Sequence, residues 1–129
     1  MAVDPATHGA FCWNELMTND IPAAKKFYAQ LFGWTLEDMP FGDMAYTIIK
    51  VKEEGIGGMM QPPPQCAGAP PFWGAYVTVD DVDATARLAQ ELGAKIIVPP
   101  TDIPMVGRFF MFKDPQGAVI SAITPEKMA

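Results

Sequence analysis

Histidine is almost missing from this chain: His8 is the only one among 129 residues, and it lies in an N-terminal stretch with no apolar periodicity. A metal centre built on several imidazoles is therefore excluded at the outset. Cysteine is nearly as scarce. Cys12 and Cys66 are the only two and have no C-x-x-C spacing, so no zinc or redox motif is written here, and Cys12 reads as a reduced packing residue within a strand. Basic residues are few: nine Lys and Arg against fifteen Asp and Glu leave a net charge of −6, and the nine nowhere cluster. That excludes a nucleic-acid surface. No apolar run approaches the roughly 20 residues that span a bilayer, and no basic segment precedes a short apolar one at the N-terminus. The expectation is a soluble, cytoplasmic chain with no nucleic-acid and no membrane partner. Its acidic balance suits a neutral or cationic small ligand slightly better than a phosphate-rich one, and promotes solubility in either case.

What is abundant is apolar surface, and it repeats. Half of the residues are hydrophobic, which marks a globular chain with a real core. Thr18-Asn19-Asp20-Ile21 opens a helical pattern that closes at Leu31-Phe32-Gly33, and Val79-Asp80-Asp81-Val82 opens another that closes at Leu92-Gly93. An aromatic-rich strand pattern precedes each, Phe11 to Met17 and Phe72 to Val79, and short strand patterns follow each. Self-similarity at this period is the signature of a duplicated supersecondary unit. The predicted fold class is α+β: two βαβββ units, a curved mixed sheet in each half, and a ligand cup between them. One domain is expected over 1–129, with repeat units at about 10–60 and 72–124. The segment 61–71 holds five prolines in eleven residues and reads as a stiff connector.

Elements follow from local signals. Asp20 is a helix N-cap, with Pro22 in the first turn and Gly33 as the stop. Ile21, Ala24, Phe27, Tyr28 and Leu31 form one stripe. Strands are expected at Trp34–Asp38, Tyr46–Lys52 and Ile56–Met60. In the second unit, strands are expected at Trp73–Val79, Lys95–Val98, Gly107–Lys113 and Ala118–Thr124, with a helix over Asp81–Leu92. A proline-rich loop is expected from Pro99 through Pro104, and residues 1–9 read as a loose tail. Asp114-Pro115-Gln116-Gly117 has the composition of a type I turn.

The pattern from Asp20 through Phe27-Tyr28-Ala29-Gln30-Leu31-Phe32-Gly33-Trp34 resembles the first helix of the vicinal oxygen chelate superfamily, the glyoxalase, bleomycin-resistance and extradiol-dioxygenase group. Val79-Asp80-Asp81-Val82, Leu92-Gly93-Ala94 and Asp114-Pro115-Gln116-Gly117 resemble its second half, and the likeness covers about residues 10–124. Cys12-Trp13-Asn14-Glu15-Leu16, Gly57-Gly58-Met59-Met60 and the stretch from Ile103-Pro104 to Gly107-Arg108-Phe109 are similar to a subset known as predicted enzymes related to lactoylglutathione lyase. The resemblance implies a divalent metal, held by one His, Glu or Gln from each of four strands, that chelates two neighbouring substrate oxygens. The corresponding positions here are Trp13, the Gly58-Met59-Met60 run, Gly74 and Ser121. None is a histidine or carboxylate, so no metal and no cofactor are expected. The resemblance further implies a homodimer, since two-unit chains of the group commonly pair, and open sheet edges favour covering.

With the metal removed, the expected site is an aromatic and sulfur-rich pocket lined by Trp13, Tyr46, Met59, Trp73, Tyr76, Phe110 and Phe112, although aromatics on strands are more often ordinary core. Alternation sets Trp13, Glu15 and Met17 on one face of their strand and Cys12, Asn14 and Leu16 on the other. Glu15 is the candidate general base, because a carboxylate among apolar groups is poised for proton abstraction beside a carbonyl. Its bland alternative is a rim position or a structural pair with Arg108 or a backbone N–H. Arg108 is a candidate clamp for a carboxylate or oxyanion, or else a solvated side chain. Ser121 is a candidate hydrogen-bond donor with no histidine to activate it. Gly57-Gly58 lacks the context of a phosphate loop and reads as a bend or a close backbone approach. The first functional reading is a metal-independent small-molecule-binding protein. The alternatives are a metal-free lyase or isomerase using Glu15 as base, and a metal-dependent glyoxalase or dioxygenase.

Overall fold

The computed structural model describes residues 3–41, 44–103 and 106–126. Its elements run β1 (Phe11–Met17), α1 (Ile21–Phe32), β2 (Thr35–Phe41), β3 (Met44–Val51), β4 (Glu54–Met60), β5 (Phe72–Thr78), α2 (Val82–Glu91), β6 (Lys95–Ile103), β7 (Gly107–Lys113) and β8 (Val119–Pro125). This is the α+β class, with βαβββ occurring twice in succession. The chain divides into two compact units, Trp13–Gly74 and Met1–Cys12 with Ala75–Ala129.

In the unit Trp13–Gly74 the strand order is β2-β3-β4-β1, with β1 and β4 parallel and the other pairs antiparallel. The Asp20 carboxylate accepts from Ala23 N at 3.1 Å, and Gly33 adopts the left-handed conformation at φ 73° that stops the helix at little steric cost. Only part of the expected stripe on α1 is buried. Ile21, Ala24 and Tyr28 pack over a core of Leu16, Ile49 and Met59, whereas Phe27 and Leu31 are 58% and 57% exposed. The stripe is wider than the surface beneath it.

The other unit repeats the plan as β5-β8-β7-β6. Asp81 caps α2 as Asp20 caps α1, accepting from Ala84 N at 3.1 Å. Val82 and Ala86 then bury against Val79, Phe110 and Ala122. Two expectations change here. β6 does not end at Val98 but continues to Ile103, through Pro99 and Pro100, with irregular register against β7 between Val98 and Thr101. Proline lacks a ladder donor, and such an irregular stretch is where a strand tolerates it. The N-terminal stretch is not loose. Gly9 N donates to Thr78 O at 2.7 Å and Thr78 N to Ala10 O at 2.8 Å, Thr78 Oγ1 donates to Pro5 O at 2.6 Å, and Asp80 N donates to His8 Nδ1 at 2.9 Å. Among the described residues no helix is long and apolar enough to cross a membrane.

Candidate functional site

The alternation of β1 separates two environments. Leu16 points into the core beneath α1. Trp13 and Glu15 take the opposite face, where Tyr46 of β3 meets both. The Tyr46 hydroxyl donates to Glu15 Oε2 at 2.7 Å and accepts from Trp13 Nε1 at 2.9 Å. The indole can only donate, which fixes the direction from Trp13 to Tyr46 and leaves the phenolic proton for Glu15. Glu15 is 3% exposed, and hydrogen bonds to a carboxylate gain strength in such surroundings. Burial, followed by the neighbouring Glu15 charge, pushes the Tyr46 phenol far above its ordinary range. It therefore stays protonated, a permanent donor rather than an acid–base group of its own.

Glycine makes this crossing possible. In the parallel pairing of β1 and β4, Glu15 stands opposite Gly58, and Gly58 stands opposite Ile48 of β3. A Cβ built on Gly58 would overlap Tyr46 Oη, Cζ and Cε1, the farthest of the three only 2.5 Å away. A Cβ on Gly57 would run into the Asn14 carbonyl oxygen. The close approach expected for Gly57-Gly58 is thus real, and at Gly58 the approaching group is a side chain. Composition alone could not have named Tyr46 as that group.

The remaining candidates lie elsewhere. Met59 is fully buried with Leu16 and Ile49, one residue out of phase with Gly58 and so in the core beneath α1. Trp73 packs against Tyr28 and Trp34, with its Nε1 donating to Tyr28 Oη at 3.2 Å, and is 41% exposed. Within the second unit, Phe110 and Phe112 stack at 5.0 Å in the core under α2. The alternate residues of β7, Phe109 and Met111, share the face of Tyr76 and Ser121. Met111 is the register partner of Ser121, and Ser121 that of Tyr76, while the Tyr76 and Phe109 rings lie 6.1 Å apart. The phase of an all-apolar strand cannot be read from its sequence, so which of Phe109 to Phe112 face the core is settled only by the fold.

Arg108 is a part-exposed side chain engaged by two carboxylates of its own unit. Its Nε and Nη2 bond the two Asp83 oxygens at 3.0 Å each, and Nη1 reaches Asp102 at 3.1 Å. This fork ties β7 to α2, holds the Asp83 carboxyl below its usual range and raises the guanidinium further.

The residues at the family's metal positions do not fit a divalent cation. The Trp13 N–H is a donor already engaged with Tyr46, and the side-chain space of Gly58 is filled by a phenol. Met59 is locked in the core, Gly74 offers no side chain, and Ser121 offers a neutral hydroxyl. Among the described residues no three of His, Cys, Asp and Glu gather as a metal site would require.

Comparison with known proteins agrees with this geometry at the level of family. The sequence model of the Glyoxalase/Bleomycin resistance protein/Dioxygenase superfamily matches residues 10–121. "Putative glyoxylase CFP32" of Mycobacterium bovis is 41% identical over 118 residues, covering 91% of this chain and 44% of that protein. "Anthracycline biosynthesis protein DnrV" of Streptomyces peucetius is 29% identical over 126 residues, covering 88% and 46%. The chain thus spans less than half the length of these curated relatives. Among solved structures, methylmalonyl-CoA epimerase from Mycobacterium tuberculosis superposes with a TM-score of 0.67 at 16% identity, over 98% of this chain and 94% of that one. At that identity the likeness speaks for the fold alone. With most of its length matched by the family's sequence model and its βαβββ plan found twice, the chain belongs to the Glyoxalase/Bleomycin resistance protein/Dioxygenase superfamily.

Proposed function

We propose that the protein is a metal-independent small-molecule-binding member of this superfamily, with Trp13, Tyr46 and Glu15 as the polar centre of its site and no cofactor. The observation that supports this most is a nearly buried carboxylate, Glu15, held by a phenol that also accepts from Trp13, the residue at the family's first metal position. A carboxylate in that setting receives a hydroxyl, an amine or an acidic C–H of a ligand. The Tyr46 proton is already committed to Glu15, so a bare oxyanion is a poor fit. Native mass spectrometry of the purified protein in excess chelator tests the reading. A small molecule retained by the wild type and lost from Glu15→Gln supports it, and retention that chelator abolishes in the wild type contradicts it.

A second reading is favoured by the same contact, because the Tyr46 hydroxyl hydrogen-bonds and orients the Glu15 carboxylate. Glu15 would take a proton from a carbon next to a carbonyl, and the C–H electron pair would move onto the carbonyl oxygen as an enolate. Return of the proton to another position or face makes an isomerase, and expulsion of a leaving group makes a lyase. The structural neighbours include an epimerase of methylmalonyl-CoA, whose acidic C–H beside a thioester carbonyl is a suitable probe. Deuterium uptake from D₂O at that carbon, sustained in chelator and lost in Glu15→Gln, supports this reading; uptake in neither protein removes it for this substrate.

The rest of the proposal is a homodimer in the cytoplasm, each chain one domain with repeat units at about 10–60 and 72–124. Phe27, Leu31 and Phe32 on α1 are each more than half exposed, apolar surface of the kind a second copy covers. Sedimentation that gives monomer alone at micromolar concentration counts against the dimer.

A further inference from the structure

We infer that Gly58 is a positioning residue for Glu15, acting through Tyr46. This rests on the reading of Glu15 as the working carboxylate and adds what sets its protonation. The phenol reaches Glu15 Oε2 only by passing over β4 where Gly58 has no side chain. A methyl group there would displace three atoms of the ring at once. β4 is held on both sides in register, Gly58 facing Glu15 of β1 and Ile48 of β3, and Gly57 already sits against the Asn14 carbonyl. The backbone therefore has no room to withdraw, and the ring has to leave instead. The smallest possible side chain at position 58 becomes a switch that removes a hydrogen-bond donor from a carboxylate on the adjacent strand.

The consequence is specific. A buried carboxylate that loses a donor to its ionised form, while staying buried, holds its proton to higher pH. Gly58→Ala should raise the Glu15 pKa by about one unit, the scale of one charge-assisted hydrogen bond. Tyr46→Phe should raise it similarly, because it deletes the same donor and keeps the ring. Gly74→Ala is the control: its Cβ would meet only Phe72 at 3.7 Å and the Glu15 carbonyl at 3.9 Å, ordinary contact distances that leave Tyr46 in place.

The experiment is a pH titration of the ¹³C-labelled Glu15 carboxyl by NMR in wild type, Gly58→Ala, Tyr46→Phe, the double variant and Gly74→Ala. The expected result is an upward shift in the first two variants, no further shift in the double variant beyond Tyr46→Phe, and none in Gly74→Ala. An unshifted Gly58→Ala overturns the inference, as does a double variant in which the two shifts add. If Gly58→Ala is too unstable to titrate, Gly58→Ala in a Tyr46→Ala background provides the check. With the ring removed the added methyl has space, and folding should recover; continued failure to fold means that something other than Tyr46 forbids the methyl. Ligand binding by Glu15→Gln is a separate readout. Loss of the functional reading would leave these titrations standing, and failure of the titrations would leave the binding test untouched.

Discussion

The two βαβββ units carry different side chains at the same place in their plan. In the unit Trp13–Gly74, the first strand sets Glu15 opposite Gly58, and Tyr46, two residues before the β3 partner of Gly58, hydrogen-bonds Glu15. In the other unit, β5 sets Tyr76 opposite Ser121. Phe109, two residues before the β7 partner of Ser121, meets Tyr76 ring to ring. One backbone arrangement therefore carries a carboxylate–phenol pair over a glycine, and an aromatic pair beside a serine. The polar version asks more of the strand it crosses, because a hydrogen bond at 2.7 Å needs a shorter approach than two rings in contact. The polar pair lies in the first unit and the aromatic pair in the second.

The comparison breaks most readily through the cores. Phe110 is fully buried beneath α2, while Phe27 on the outer side of α1 is 58% exposed. Phe110→Ala should cost about 3–5 kcal/mol in chemical denaturation, and Phe27→Ala well under half of that. Equal losses would mean that the two helices cover their units alike. Next in size, Glu15→Gln should weaken retention of a bound small molecule at least about tenfold, which corresponds to roughly 1.4 kcal/mol, with the fold intact by circular dichroism. Phe109→Leu, the matched change in the apolar pair, should leave that retention nearly unchanged. Smallest is the ion pair of Asp83 with Arg108. Its bond to Arg108 holds Asp83 below the usual carboxylate range, so its contribution is present above that range and fades as pH falls through the lowered folded value. Asp83→Asn should be slightly less stable than wild type at pH 7, with the difference shrinking as pH falls and modest throughout because both side chains are part exposed. A difference that grows toward acid would reverse the sign and refute the assignment.

How much of this was legible beforehand depends on how each residue announces itself. Asp20 and Asp81 as caps, Gly33 as a stop and the twofold βαβββ order are local chemistry, and local chemistry is written in short stretches of sequence. The facing of Trp13 and Glu15 follows from period-2 alternation together with the resemblance, which sets Trp13 at an inward position. Gly107 to Lys113 contains no polar break in Phe109-Phe110-Met111-Phe112, and the choice of Phe110 and Phe112 as pocket residues fell on the core side. That Arg108 meets Asp83 and Asp102 depends on α2 and β6 coming to it in the fold, which no pattern within β7 encodes. Tyr46 on Glu15 is a contact across 31 residues, which no pattern within either strand encodes, although Gly58 marked where an approach would occur.

In the proposed function the ligand is held by the Glu15–Tyr46 pair without a metal. The most direct test of this is the Trp13 indole ¹H–¹⁵N signal, recorded in excess chelator while small hydroxyl- and carbonyl-bearing compounds are added to wild type and to Glu15→Gln. Trp13 donates to the same phenol that Glu15 accepts from, so a ligand reaching the carboxylate must disturb that resonance. The account predicts compounds that shift the Trp13 signal with chelator present and lose that effect in Glu15→Gln; binders that act only when a divalent metal is restored, or that bind Glu15→Gln as tightly as wild type, would contradict it.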